Sequence, residues 1–306
     1  MRKDYYSRMA IIWIPLMFLS FLSYGQESNN DTTLTDELNI DFNTKKKKHD
    51  YILPPWRARR FNASAGLFFP LNNTEVRVGA TNRDLSTTID LEDDLGFEKT
   101  TFSFMAKFQW RFSKRSRVEF EYFYLDRKST KRLEREIDFG DEIYPINAEA
   151  TAFFNFSIIR FSYSYAIINK PTYEIGVLIG SHIMLGDIGI RARVNATEAE
   201  LNNSFDFVAP IPDIGLWTDI QLSPKFGVYG NINYLSLSIG DVSGKVLSTN
   251  AALLYNIHNN WNIKAGYNLL DIKVDVEKQR LEGSFEWGYN GPTLSICYTF
   301  GEQLKI

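Results

Sequence analysis

Thiols are nearly missing from this chain: Cys297 is the one cysteine among 306 residues, which excludes an intrachain disulfide and a cysteine-rich zinc site. Histidine is sparse as well, with only His49, His182 and His258, and there is no G-x-S-x-G or H-E-x-x-H pattern to mark a hydrolase. No cofactor motif stands out, and no cofactor is expected. An excess of one charge is also lacking. The formal net charge is −3 and the pI about 5.8, so a nucleic-acid partner is not expected, and the run Lys45 to Lys48 reads as a solvated tail. A helix-forming transmembrane stretch is missing too. The apolar segment from Met9 to Leu22 falls short of the roughly 18 residues a spanning helix needs and carries Pro15. With Arg2, Lys3 and Arg8 before it and Ser23 and Gly25 after it, this segment reads as a secretory signal peptide, residues 1–25. No cysteine follows the cleavage point to take a lipid.

What the chain has in quantity is alternation. From Thr100 to Leu125, Phe102, Phe104, Ala106, Phe108, Trp110 and Phe112 alternate with Thr101, Ser103, Met105, Lys107, Gln109 and Arg111. A polar turn at Ser113 to Arg115 follows, and then Val118, Phe120, Tyr122 and Tyr124 alternate with Arg117, Glu119 and Glu121. This is the period-2 pattern of a β-hairpin with one apolar and one polar face. The arms exceed the ordinary strand of about 5 or 6 residues and suit the roughly 9 to 11 tilted residues that cross a bilayer. A mean hydropathy of −0.24 with 15% aromatic residues fits a barrel that hides its hydrophobicity on every second position.

The same pattern recurs along residues 60–300, the expected barrel domain, flanked by a polar periplasmic tail at 26–59 and a C-terminal tail at 301–306. About ten strands are expected, with eight or twelve as alternatives, in an all-β, transmembrane antiparallel up-and-down β-barrel. Short turns at Ser113 to Arg115, Asn169 to Pro171, Ser223 to Lys225 and His258 to Asn260 face polar excursions at 71–99, 127–149 and 195–206. Transmembrane barrels show that asymmetry, with short periplasmic turns and long outer loops. Three-residue turns set Lys107 opposite Glu121 and Gln109 opposite Glu119 on the inward face, and parity adds Arg160 and Glu174 to these lumen charges. The strand at 150–166 is irregular. One reading turns Phe154, Phe156 and Ile158 inward to line an apolar pocket; the preferred one places a β-bulge near Ile158 and Ile159 that turns Phe154 and Phe156 outward.

The segments YSYAI (163–167), GDVSG (240–244) and WGYNGPTLSICYTF (287–300) resemble the small outer-membrane β-barrel proteins of Gram-negative bacteria, and the SYGQ junction at 23–26 is similar to signal-peptidase sites of the Bacteroidota. The resemblance implies an outer-membrane location and insertion by the barrel-assembly machinery, which reads a C-terminal aromatic strand such as the one ending at Phe300. Such proteins usually end on that aromatic residue, whereas here Gly301 to Ile306 follow.

Three functions remain open: a structural or surface-binding barrel, a narrow transporter for small or hydrophobic solutes, and an outer-membrane lipid hydrolase or protease. Ten strands leave too little room for an open porin-like channel. The catalytic candidate is His182, with Ser162 or Asp187 as partners. Asp90, Glu92, Asp93 and Asp94 lack calcium-loop spacing and read as a solvated outer loop, so no metal is expected. The cluster Arg127, Lys128, Lys131, Arg132 and Arg135 is the candidate contact for anionic lipopolysaccharide and outer-membrane lipids.

Overall fold

Among the described residues fourteen strands form, and ten of them follow one another around the main sheet in chain order. The computed structural model describes residues 53–79, 87–140, 142–194, 199–278 and 281–304; the expected signal peptide and most of the tail lie outside them. After a one-turn helix α1 (Pro55–Ala58) come β1 (Arg59–Phe68), β2 (Leu71–Gly79), β3 (Ile89–Asp90), β4 (Ser103–Arg111) and β5 (Ser116–Arg132). A small hairpin follows, β6 (Ile137–Phe139) and β7 (Glu142–Tyr144). Then come β8 (Glu149–Asn169), β9 (Tyr173–Val194), β10 (Ala199–Gln221), β11 (Phe226–Ile239), β12 (Val242–His258), β13 (Trp261–Lys278) and β14 (Leu281–Gln303). Neighbours pair antiparallel in the order β1-β4-β5-β8-β9-β10-β11-β12-β13-β14, and β14 pairs back onto β1. β2 and β3 join this sheet beyond β14, and β6 and β7 form a sheet of their own. The result is a closed up-and-down β-barrel with ten positions around its wall.

The 71–99 stretch, expected as a loop, begins as wall. β2 continues β1 past Pro70 and pairs with the upper part of β14, Leu71 opposite Asn290 and Gly79 opposite Glu282. The 195–206 excursion also resolves into strand from Ala199 onward, paired residue by residue with β9. Polarity changes along both stretches, which makes them look like loops, yet the period of two does not change. In the lower part of β10, Ile214, Leu216 and Ile220 point outward and are exposed, while Asp213, Trp217 and Asp219 are buried inside. In its upper part the polar Glu200, Asn202, Ser204 and Asp206 point outward, and Leu201, Phe207 and Ile211 face the interior. The alternation has reversed its phase. β9 and β8 do the same: Met184, Ile188 and Ile190, and Phe154, Phe156 and Ile158, are buried inside above the level of His182 and Arg160.

The preferred bulge near Ile158 and Ile159 is therefore corrected. β8 and β9 stay in unbroken register from Glu149 opposite Arg193 to Ala166 opposite Gly176, and the register shift lies between Ala166 and Ile168. Phe154 and Phe156 face inward because the upper barrel has an apolar interior, not because the strand departs from its parity.

Candidate functional site: the lumen

Register alone sets most of the mid-lumen charges. Lys107 lies opposite Glu121, and Gln109 opposite Glu119. Lys107 Nζ donates to Glu119 Oε2 at 2.8 Å and to Glu121 Oε1 at 3.1 Å. Arg160 continues the chain, donating to Glu121 Oε1 at 3.3 Å and through Nη2 to Asp213 Oδ2 at 3.2 Å. Arg117 Nε sits 3.4 Å from Glu119 Oε1, and its guanidinium lies 3.6 Å from the centroid of the Trp217 ring. Glu174 is engaged from across the barrel: Arg111 grips it with two bonds of 2.7 and 2.8 Å. Charges in a closed interior are costly unless partnered, and these alternate in sign along the lattice.

The end at which β1 begins and β14 finishes is stoppered. Residues 53–58, which the sequence reading left in the tail, enter the barrel mouth, and Trp56 and Arg57 are buried there. Arg57 donates to the carbonyl oxygens of Pro171 at 2.7 Å and Lys170 at 2.8 Å, and lies 3.7 Å from Glu174 and 3.8 Å from Asp219. Trp56 packs with Tyr229 and Leu254, and a Cβ on Gly227 would stand 2.6 Å from the indole. Glycine there is what admits the ring. The expected C-terminal tail also takes part: β14 runs on to Gln303, and Leu304 N donates to Ala58 O at 2.8 Å.

The opposite end is closed by an apolar plug. Leu91, Leu95 and Phe97 fold in from the segment after β3, Ile137, Phe139 and Tyr144 from the β6–β7 hairpin, and Phe154, Phe156, Phe285 and Trp287 from the wall. Phe156 and Trp287 have ring centroids 4.4 Å apart. Tyr144 O–H donates to Ile190 O at 3.0 Å, and burial pushes its hydroxyl up to about 12. Between the two stoppers lies a cavity of about 80 Å³ lined by Lys107, Glu121, Arg160, His182, Lys264 and several Ser, Thr and Asn side chains. A second of about 40 Å³ lies beside it, toward Trp56.

His182 faces the lumen with Nδ1 3.2 Å from Asp213 Oδ2. Ser162 also faces inward, in register with Gly180, but its hydroxyl has no hydrogen-bond partner among the described residues. Asp187 points to the outside, five residues along β9 from His182 on the opposite face, so that pairing is not formed. The basic cluster is divided. Arg127 turns inward and donates to Glu92 Oε1 at 2.6 Å, to Thr74 Oγ1 at 3.2 Å and to Glu98 O at 2.9 Å. Lys131 donates to Asp93 O at 2.7 Å, and Arg135 Nε to Asp94 Oδ1 at 2.7 Å. Lys128 and Arg132 remain exposed on the outer wall. The loop carboxylates expected in solvent are thus largely held in ion pairs, with Lys99 3.2 Å from Asp93. For Asp94, burial opposes ionisation, but the hydrogen bond and charge of Arg135 hold its carboxyl below the usual carboxylate value.

No protein-family model matches the chain, and no curated protein matches it in sequence. Several solved structures align with it. The translocator domain of the autotransporter NalP from Neisseria meningitidis is 13% identical over 80% of this chain and 89% of that one, with a TM-score of 0.47. The Ralstonia pickettii toluene transporter TbuX is 9% identical over 81% and 91%, at 0.33. Ail of Yersinia pestis, solved with the heparin analogue sucrose octasulfate, is 10% identical over 77% and 99%, at 0.30. At such scores the likenesses carry no argument about activity, and the fold stands on the strand pairing itself.

Trp56, Arg57, Arg111, Asp213 and Lys264 were not singled out from sequence. Arg111, Asp213 and Lys264 sit on predicted inward positions and could have been found by completing the parity count on β4, β10 and β13. Trp56 and Arg57 lie in an aperiodic stretch, where the only signal is a tryptophan after two prolines.

Proposed function

We propose that this protein is an integral outer-membrane β-barrel with a structural or surface-binding role, closed to solute flow at rest. One observation carries the reading: an exposed apolar belt surrounds a lumen that side chains stopper at both ends. The belt includes Phe104, Phe120, Phe161, Ile179, Leu216 and Ile232, all exposed on the outer wall. A ring without edges leaves no unpaired backbone to face hydrocarbon. The outward run from Tyr173 to Leu185 is about 40 Å of strand, which at a tilt of about 40° spans about 30 Å, the thickness of a bilayer's hydrocarbon. The amino-terminal signal-like segment supports secretion, and the aromatic C-terminal strand supports insertion by the barrel-assembly machinery.

Above the belt, Lys128 and Arg132 share the outer wall with Arg191 and Arg193 on β9, two strands away. These four, rather than the cluster Arg127, Lys128, Lys131, Arg132 and Arg135, are the proposed contact for phosphates of lipopolysaccharide. Planar-bilayer recording tests the closed barrel: the purified protein should give no steady conductance. A stable open conductance would overturn this reading in favour of a narrow transporter, which the two lumen cavities favour. A hydrolase or protease is supported less well, because the Asp213–His182 contact is sealed inside the lattice, away from lipid and loops.

A further inference from the structure

Among the described residues below the outer plug, the lumen holds six cations, Arg57, Lys107, Arg111, Arg117, Arg160 and Lys264, against five carboxylates, Glu119, Glu121, Glu174, Asp213 and Asp219. Each of the first five cations has a carboxylate oxygen between 2.7 and 3.7 Å away. Lys264 has none within 4.0 Å. Its register neighbours, Leu254 on β12 and Ser295 on β14, are uncharged. Its ammonium lies 4.8 Å from the centroid of the Tyr229 ring, which also has Lys107 Nζ at 5.3 Å. A ring face attracts a cation but does not neutralise it. An ammonium enclosed in a barrel with no counter-charge in contact among the described residues is costly, more so with a second ammonium near the same ring.

Space for a counter-ion adjoins it. Lys264, Ser64 and Lys107 line both cavities, so the unpaired ammonium stands where the two meet. The larger cavity, about 80 Å³, has room for roughly five to eight waters, which limits any occupant to a few heavy atoms. Asn250, Asn268 and Ser295 add neutral hydrogen-bonding groups to its wall. The carboxylates near it are already committed: Glu121 accepts from Lys107 and Arg160, and Glu119 from Lys107.

We propose that Lys264 anchors an internal binding site for a small monovalent anion, of formate-like carboxylate or halide size, seated at the junction of the two cavities. The anion balances the lumen charge and takes hydrogen bonds from the surrounding amide and hydroxyl groups.

The test uses full-length protein refolded into detergent micelles in sodium formate or in sodium gluconate of equal ionic strength, gluconate being too large for the cavity. The thermal transition of the folded band should rise with formate along a one-site linkage curve and stay flat in gluconate. Lys264→Gln should abolish the formate dependence, and Lys264→Arg should retain it. Crystals grown in sodium bromide should show an anomalous peak beside Lys264 Nζ that is lost in Lys264→Gln. Equal response to formate and gluconate, formate dependence that survives in Lys264→Gln, or no peak beside Lys264 in the wild type would overturn the site. If Lys264→Gln fails to refold, the wild-type comparison of the two anions and the bromide map still decide.

Discussion

Glu174 shows what a lumen residue does in this barrel and how far sequence could reach it. Its inward direction follows from alternation with Tyr173 and Ile175 on β9, but its partners do not, because Arg111 comes from β4, three wall positions away, and Arg57 from the segment before β1. Neighbouring-strand pairs such as Lys107 and Glu121 can be read from turn length and parity. Contacts that skip one or more strands, including Arg111–Glu174 and Arg160–Asp213, depend on side-chain reach and barrel curvature, which no local pattern encodes. Glu174 is fully buried, so replacing it strands the Arg111 guanidinium and leaves Arg57 with Asp219 and two carbonyls. Breaking a buried pair by removing one partner costs about 3–5 kcal/mol. Glu174→Ala should lose stability on that scale in urea unfolding from lipid vesicles, whereas Glu174→Ala combined with Arg111→Ala should recover part of the loss. A single-variant loss no larger than that of an exposed control such as Glu302→Ala would show that the pairing contributes nothing.

At the scale of elements, the instructive case is a strand whose alternation persists while its meaning reverses. β5, β8, β9 and β10 each carry apolar residues outward low in the barrel and inward higher in it; the inward ones begin near the level of Arg160 and His182, and the outward ones end in register on Asp126, Asn155, Asp187 and Asp206. A search for continuous outward apolar stripes stops at that row and names the rest a loop, or places a bulge to turn Phe154 and Phe156 outward. The closing segment between β3 and β4 is the least regular element. Polar contacts hold it, among them the Arg135–Asp94 pair and the Arg127–Glu92 pair, while Leu91, Leu95 and Phe97 fill the plug beneath. Because the folded Asp94 carboxyl titrates below its ordinary value of 3.8, its contribution is full above that pH and is lost as pH falls through the lower folded value. Both partners are partly exposed, so the contribution is modest. Hydrogen exchange across residues 91–97 should therefore accelerate as pH is lowered below 3.8, after correction for the intrinsic rate, and Asp94→Asn should show the fast exchange already at neutral pH. Protection that stays constant in both would mean that the apolar side chains alone hold the segment.

The whole molecule behaves as two barrels on one set of strands. The lower one is inside-out, with charges buried and aromatics exposed, a state that water would penalise heavily and that hydrocarbon relieves. The upper one has the ordinary arrangement of a water-soluble sheet, with polar residues outside and Phe154, Phe156, Phe285 and Trp287 inside. Such a reversal makes sense only if the surrounding solvent changes along the barrel axis, and it locates the change on each strand. Environment-sensitive fluorophores can report it directly. The sole cysteine, Cys297, is buried, so a Cys297→Ser background accepts single labels on the outer wall. Labels at Ile179→Cys and Leu216→Cys should emit as in hydrocarbon and be quenched by lipids brominated on their acyl chains. Labels at Asp187→Cys and Asp206→Cys, only 8 and 10 residues away along the same strands, should emit as at a wet interface and be quenched by aqueous iodide instead. The hydrocarbon boundary would then fall between the members of each pair, on β9 and β10 alike. Uniform aqueous emission at all four sites would remove the membrane from the account, and hydrocarbon-like emission at Asp206 would show that the phase reversal is not where the solvent changes.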